Sequence, residues 1–373
     1  MTKQKFGLAE IIRDPKAWRA SPSFDNSVQK WTGKVRDFII GVCMAVIIIG
    51  VCYIILSPVI GIISRSVMTP EDAMNPLVFL IPQEFTLQNI DFAVQYMDYF
   101  QGRGLSDIVF FSGSETPLNL SAGVYNVFDG TPIYGALRFL SGVLSGTLLR
   151  TLVFAGFFSF LNVIICSMVG YGFARFKFPG VEILFALVIL TIVVPVHSYM
   201  VPLFINFRYF LDILPGAYIN LIDSWWSLGL LTATGVGIRS GLYIYIFRQF
   251  FRGLPKEIEE AAFIDGAGPL GTYVKVMMPN SVPAIVTVLL FAFVWHYNDT
   301  FYTSLLMPRV NLMPTSLMSL PMAFSAGERV QSLMVIEMVT FAGVMLAIVP
   351  ILTLYLFLQR YFVEGLERSG IVG

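Results

Sequence analysis

Charge is what this chain has least of. Only 13% of its 373 residues are Asp, Glu, Lys or Arg, about half of the ~25% usual for soluble domains. A water-soluble globule with a solvated charged shell is therefore excluded as a starting picture. Acidic and basic residues balance at 24 each, so no basic excess points to nucleic acid. Histidine occurs twice, no nucleophile–base constellation stands out, and little catalytic chemistry is on offer. The three cysteines, Cys43, Cys52 and Cys166, each sit inside an apolar run. They cannot staple an extracytoplasmic domain, and metal-ligand spacing is absent. No Gly-x-x-x-x-Gly-Lys-Ser/Thr loop occurs, so the chain does not bind and hydrolyse ATP by itself.

What it has instead is apolar length. Hydrophobic residues make up 56% of the chain and mean hydropathy is +0.74. Runs long enough to cross a bilayer cover 38–63, 151–174, 183–205, 226–247, 282–307 and 333–358. The expected fold is an all-α membrane protein with six transmembrane helices. Residues 1–37 form a polar N-terminal segment, and 38–63 are a retained first span rather than a cleaved leader. Residues 64–146 are an extracytoplasmic insert with Pro, Asn, Asp and Ser punctuation. Residues 147–358 hold the other five spans, and 359–373 are a tail. Basic residues gather on the segments that share a side with the N-terminus, among them Lys30, Lys34, Arg175, Lys177, Arg252 and Lys256, which places both termini in the cytoplasm. Within the insert, PQEFTLQNIDFAVQYMDYF has the pattern of an amphipathic helix, whereas DIVFF and GVYNVF read as short strands.

One polar elbow, residues 251–281, interrupts the core on the cytoplasmic side. Pro255 suits the first turn of a helix, where its missing N–H is not needed. Glu257, Glu259 and Glu260 follow, against the positive end of the helix dipole. Leu254, Ile258, Ala261 and Ala262 recur as a narrow apolar stripe. Gly266 and Gly268 stop the helix, and Pro269 opens a second that runs to Met278, before Pro279. The product is helix, glycine corner, helix, offering a small-residue knob outside the bilayer.

Glu260-Ala261-Ala262, then Gly266, then Val276-x-Met278-Pro279 resembles the E-A-A-x3-G-x9-I-x-L-P signature of binding-protein-dependent ABC importer permeases. The chain departs from it by Val for Ile and Met for Leu. The flanks, LPKEIEEAAFIDGAGP, resemble the carbohydrate (maltose/oligosaccharide-type) branch. So do the run from Tyr171 to Gly180, the fifth-span run FVWHYNDTFYTSLL, and Gln359 to Leu366, although the family's closing lysine is missing from Ser369–Gly373. The resemblance implies a type I ABC importer permease fold of six helices. It implies that the elbow docks in a cleft of an ATPase subunit, with Glu260, Ala261, Ala262, Asp265, Gly266 and Pro279 as coupling residues. Partners would be a second permease, two ATP-binding cassette subunits and an extracytoplasmic solute-binding protein. ATP and Mg would be bound by the ATPase subunits, with no cofactor in this chain. The setting would be the prokaryotic cell membrane and the cargo a sugar, an oligosaccharide by branch. Polyamines or other small polar solutes stay open as cargo. So does a self-contained secondary transporter, for which intramembrane ionisable residues would be ion sites. Because the link between the first two spans is usually shorter in related permeases, residues 102–140 look like an insertion, either a receptor-docking element or a loop cap.

Polar residues at membrane depth are functional candidates by default. Trp295, His296, Asn298 and Asp299 lie about 20–26 Å along the fifth span at ~1.5 Å per residue, and rings beside amide and carboxylate suit a sugar's C–H faces and hydroxyls. Trp295, Asn298 and Asp299 share one helix face, whereas Tyr297 should pack elsewhere. Arg239, in the fourth span, needs a partner, for which Asp299 and Glu337 are the candidates. Pro195 and Pro202 should bend the third span, with His197 between them. The glycines of the fourth span, Gly229, Gly235, Gly237 and Gly241, permit close helix contact.

Overall fold

The structure, a computed structural model, describes residues 22–78, 80–99, 146–210 and 219–370. Among these, the regular elements are all helical, beside two isolated β-bridges. The chain divides into two compact units, 1–64 and 65–373.

The first unit is the greater part of one helix, α1 (Pro22–Ser66), whose stretch Asp37–Ser66 is long and apolar enough to cross a membrane. It contains the expected span 38–63. Its side chains, such as Phe38, Ile48 and Ile54, are exposed over most of that length.

The second unit opens with a small polar-anchored segment. Helix α2 (Pro70–Met74) is capped by Thr69, whose hydroxyl accepts from Asp72 N. Buried Asp72 accepts in turn from Gln83 N at 2.7 Å and Glu84 N at 2.8 Å, and Asn89 Nδ2 donates to Met68 O at 2.9 Å. Helix α3 (Gln88–Tyr96) is the amphipathic helix expected of the insert. It buries Ala93 beside Met97, and Tyr96 donates to Glu328 Oε1 at 2.9 Å. That hydrogen bond, together with burial and the carboxylate's charge, pushes the Tyr96 phenol above its ordinary range. The element expected at 102–140, with both strand-like runs, lies outside the described residues.

Helix α4 (Thr147–Arg175) is the axis of the bundle. After Gly180 turns the chain at φ +88°, α5 (Val181–Val193) leads through Pro195 and a 3-10 turn, Val196–Tyr199, into α6 (Met200–Arg208). The two halves meet at 100°, the bend expected of Pro195, whereas Pro202 lies in the first turn of α6 without a break of its own. The fourth run is not one helix. It is α7 (Trp225–Ala233) and α8 (Ser240–Gly253), separated where Gly235 and Arg239 adopt φ +75° and +58°. The elbow follows as α9 (Lys256–Ile264), α10 (Pro269–Thr272), a π turn at Tyr273–Met277 and α11 (Met278–Asn280). Helix α12 (Val282–Tyr297) leaves it at 80°, then come α13 (Phe301–Leu306), α14 (Met313–Gly327) and α15 (Leu333–Gly370). By length and composition the described residues contain three unbroken spans, Asp37–Ser66, Thr147–Arg175 and Leu333–Phe357, and two bent pairs.

Helices α8 and α12 both pack on α4. The contact with α8 depends on Gly170, where a Cβ would lie 2.7 Å from Phe247 Cβ and 3.0 Å from Arg248 N. Of the fourth-span glycines, Gly241 makes the expected close approach, its Cβ position falling 3.0 Å from Val188 O in α5. Gly229 and Gly235 meet only ordinary contacts. Near the C-terminal end of α8, Arg248 lies 3.4 Å from Glu182 Oε2 and stacks 3.7 Å over the Phe185 ring, tying α8 to α5.

Candidate functional site

The elbow has two faces. Its first helix, α9, closes with Asp265, Gly266 and Ala267 N–H groups donating to Ala261, Phe263 and Ala262 carbonyls, and Gly266 takes φ +82°. Glycine is required there for its backbone, since side chains rarely adopt that φ. Nothing lies within 4 Å of a Cβ built on Gly266, so a side chain at the corner meets backbone strain and no crowding from the rest of the chain. The outward face carries Glu260, Ala261, Asp265, Gly266 and Pro279, all exposed, with a fringe of exposed apolar side chains: Phe263, Ile264, Leu270 and Val274.

The inward face differs from the expected stripe. Ile258 and Ala261 are exposed, whereas Glu259 and Ala262 are buried at 7% and 8% exposure. Of the three glutamates opening α9, Glu259 alone turns inward, and it meets α4. Tyr171 donates its phenol to Glu259 Oε1, and Arg175 Nε lies 3.0 Å from Oε2, the two ionic side chains being 7% and 9% exposed. Arg175 also donates to Leu254 O at 2.9 Å, just before the elbow helix. Beyond the corner, Tyr273 shares a 2.7 Å hydrogen bond with Ser167 and lies ring to ring with Tyr171 at 5.3 Å.

A second feature is a cavity of about 880 Å³. Three interruptions of helical backbone converge on it: the bend at Pro195 between α5 and α6, the break before α8, and the gap between α12 and α13. Irregular backbone at membrane depth is tolerated where it lines such a space. Trp295, Asn298, Asp299, Arg239 and His197 all belong to the lining. Arg239 forms no ion pair with Asp299 or Glu337. Its guanidinium sits 4.3 Å over the Trp295 ring, a cation–π contact. Asp299 instead caps α13, its Oδ2 accepting from Thr303 N and Oγ1, both at 2.8 Å, and its Oδ1 from Tyr302 N at 3.4 Å.

Two expected pathway residues are elsewhere. Glu337, in α15, is exposed and outside the lining. His296 is 1% exposed and faces the bundle, stacked on Phe158 at 5.8 Å with its Nδ1 2.7 Å from Ala292 O. Tyr297 packs away from the cavity as expected, donating to Ala347 O at 2.9 Å. Behind the lining, buried Asn162 of α4 accepts from Ser240 Oγ at 2.9 Å and lies 3.5 Å from His296 Nε2, joining α4, α8 and α12. Sequence reasoning passed over Asn162, although an amide inside an apolar span is itself a signal. No group of His, Cys, Asp and Glu among the described residues could hold a metal ion.

Comparison with known proteins identifies the family and the fold. Residues 162–368 match the family described as binding-protein-dependent transport system inner membrane component. The arabinooligosaccharides transport system permease protein AraQ of Bacillus subtilis is 31% identical over 255 residues, 66% of this chain and 77% of that protein. The maltodextrin transport system permease protein MdxG of the same organism is 29% identical over 226 residues, 60% and 74% of the two chains. Among solved structures, a chain from a bacterial ABC transporter involved in the import of the acidic polysaccharide alginate has the same fold, with a TM-score of 0.60 at 19% identity. The match covers 88% of this chain and 98% of that one.

Proposed function

The chain belongs to the family of binding-protein-dependent transport system inner membrane components, and on that footing we propose that it is one permease of an ATP-driven sugar importer, with an oligosaccharide as cargo. It would form half of the translocation pathway, crossing the cell membrane six times with both termini inside and the 64–146 insert outside. The second permease, two ATP-binding cassette subunits and a solute-binding protein would complete the complex. ATP and Mg would reside in the cassette subunits. When ATP closes the cassettes, the elbow is displaced, the spans rock to open outward, and the receptor releases its sugar into the cavity.

The observation that carries this reading is the two-faced elbow. Its outward face joins an open glycine corner to exposed Phe263, Ile264 and Leu270, apolar surface of the kind that a protein partner covers. The relatives that act on arabinooligosaccharides and maltodextrins support a sugar, as does the Trp295 ring at the cavity. A polyamine site would need an excess of carboxylates, and among the described residues the cavity lining offers Asp299 alone, beside the cation Arg239. The test is uptake in a deletion strain over a panel of labelled malto- and arabino-oligosaccharides, with polyamines as the contrasting arm. Co-purification of an ATPase with the tagged chain is measured in parallel. Uptake lost for an oligosaccharide and kept for polyamines supports the reading. The reverse pattern, or no ATPase bound, overturns it.

A further inference from the structure

Ser167, Tyr171 and Arg175 stand at i, i+4 and i+8 on α4, one stripe down its inner end. That single stripe holds the elbow on both sides of the Gly266 corner. Before the corner, Glu259 takes the Tyr171 phenol and pairs with Arg175 at 3.0 Å. After it, Tyr273 meets Ser167 at 2.7 Å. Glu259 is the hub, because it is the one elbow carboxylate that is buried and the one that touches two residues of the stripe. Neighbouring Glu257 and Glu260 are exposed. Glu259 thus joins a hydrogen bond from Tyr171 to an ion pair with Arg175, and a buried carboxylate held by both is costly to pull away from its partners.

We propose that Glu259 is the positioning residue that makes the elbow and the inner end of α4 one rigid piece, so that displacement of the elbow is delivered to the bundle instead of being absorbed by the corner. This rests on the reading of the elbow as the ATPase contact. Glu259 touches no substrate and no nucleotide in this scheme. Its role is mechanical, and it predicts uncoupling without disassembly.

The test uses the complete transporter in proteoliposomes, its native cysteines replaced. Spin labels are placed at Lys177→Cys, just past α4, and Lys256→Cys, an exposed position at the start of α9. With Glu259 in place, the distance between the labels should stay narrow and unchanged between the nucleotide-free and ATP-trapped states. Glu259→Gln should shift or broaden that distance by about 3–5 Å on ATP binding, roughly the length of one helical turn at most. It should also lower transport per ATP hydrolysed at least tenfold, with ATPase co-purification and basal hydrolysis kept, and the cargo is the oligosaccharide scoring highest in the uptake panel. If Glu259→Gln does not assemble, the pair Glu259→Gln with Arg175→Gln, which leaves no lone buried charge, is judged by the same criteria. An unchanged label distance, or unchanged transport per ATP, overturns the proposal. The underlying reading fails separately: if the thiol of a separate Ile264→Cys variant is not shielded from a water-soluble maleimide when the ATPase binds, the elbow is not the contact, whatever Glu259 does.

Discussion

Gly266 separates two explanations of the elbow that a single substitution would confound. Its φ is +82°, and no atom lies within 4 Å of the Cβ position. Within this chain, then, alanine there costs backbone strain and nothing else. For an L-residue in the left-handed region that is about 1–2 kcal/mol, which lowers the population of the native corner by a factor of about 5–30. Asparagine tolerates the same φ better, because its short amide bonds to the local backbone. The expected order of uptake per inserted permease is therefore Gly, then Asn, then Ala. Gly266→Asp shares the tolerance of asparagine but adds charge to a surface that already holds Glu260 and Asp265. A loss larger than that of Gly266→Asn thus reports a partner at the corner. Uptake and ATPase co-purification from membranes with equal amounts of inserted permease measure both effects. Alanine performing as well as glycine would refute the strain argument, and asparagine as poor as alanine would show that bulk, not backbone, decides.

The other expectations are simpler. Gly170→Ala and Gly172→Ala gain the same helix propensity, so their difference isolates the contact with Phe247 and Arg248. Gly170→Ala should be less stable by about 1–3 kcal/mol in detergent thermal unfolding, whereas Gly172, 4.0 Å from Phe176 at its Cβ position, should tolerate alanine. Asp299→Asn should weaken the cap of α13 by about 1 kcal/mol. Combined with Arg239→Gln it should be additive within about 0.5 kcal/mol, because no ion pair joins the two, and a coupling well above that would restore the pair. Trp295→Ala removes both the cavity ring and the seat of Arg239, and should lower oligosaccharide uptake severalfold with assembly and basal ATP hydrolysis unchanged. Unaltered uptake would take Trp295 out of the pathway.

The elbow was legible in sequence because each of its marks has a local backbone meaning. Pro255 and Pro269 start helices, Gly266 ends one at positive φ, and none of this needs a distant partner. Glu259 was not legible for the opposite reason. Three glutamates open the same helix, and only the position of α4 decides which one turns inward. The break in the fourth span was hidden by a true generalisation applied too widely. Glycines can permit close helix contact, and Gly241 does, but Gly235 serves its positive φ instead. Arg239 was assigned a carboxylate because a lone charge in hydrocarbon demands one. Beside a cavity and an aromatic face the demand is weaker. His296 and Asn298 are two residues apart, yet one faces the bundle and the other the cavity, as helical geometry allows once the axis is known.

The two faces of the elbow make it separable in evolution. Ile264, Leu270 and the open corner belong to whatever lies outside, while Glu259, Ala262 and Tyr273 belong to α4. If the elbow seats the cassette subunit as proposed, a lineage could exchange one such subunit for another by changing the outer set alone, leaving the bundle untouched. A chimera that imports a foreign elbow whole meets the other constraint. On the proposed role of Glu259, it must bring the residues at 167, 171 and 175 with it, or it would recruit its motor and fail to turn.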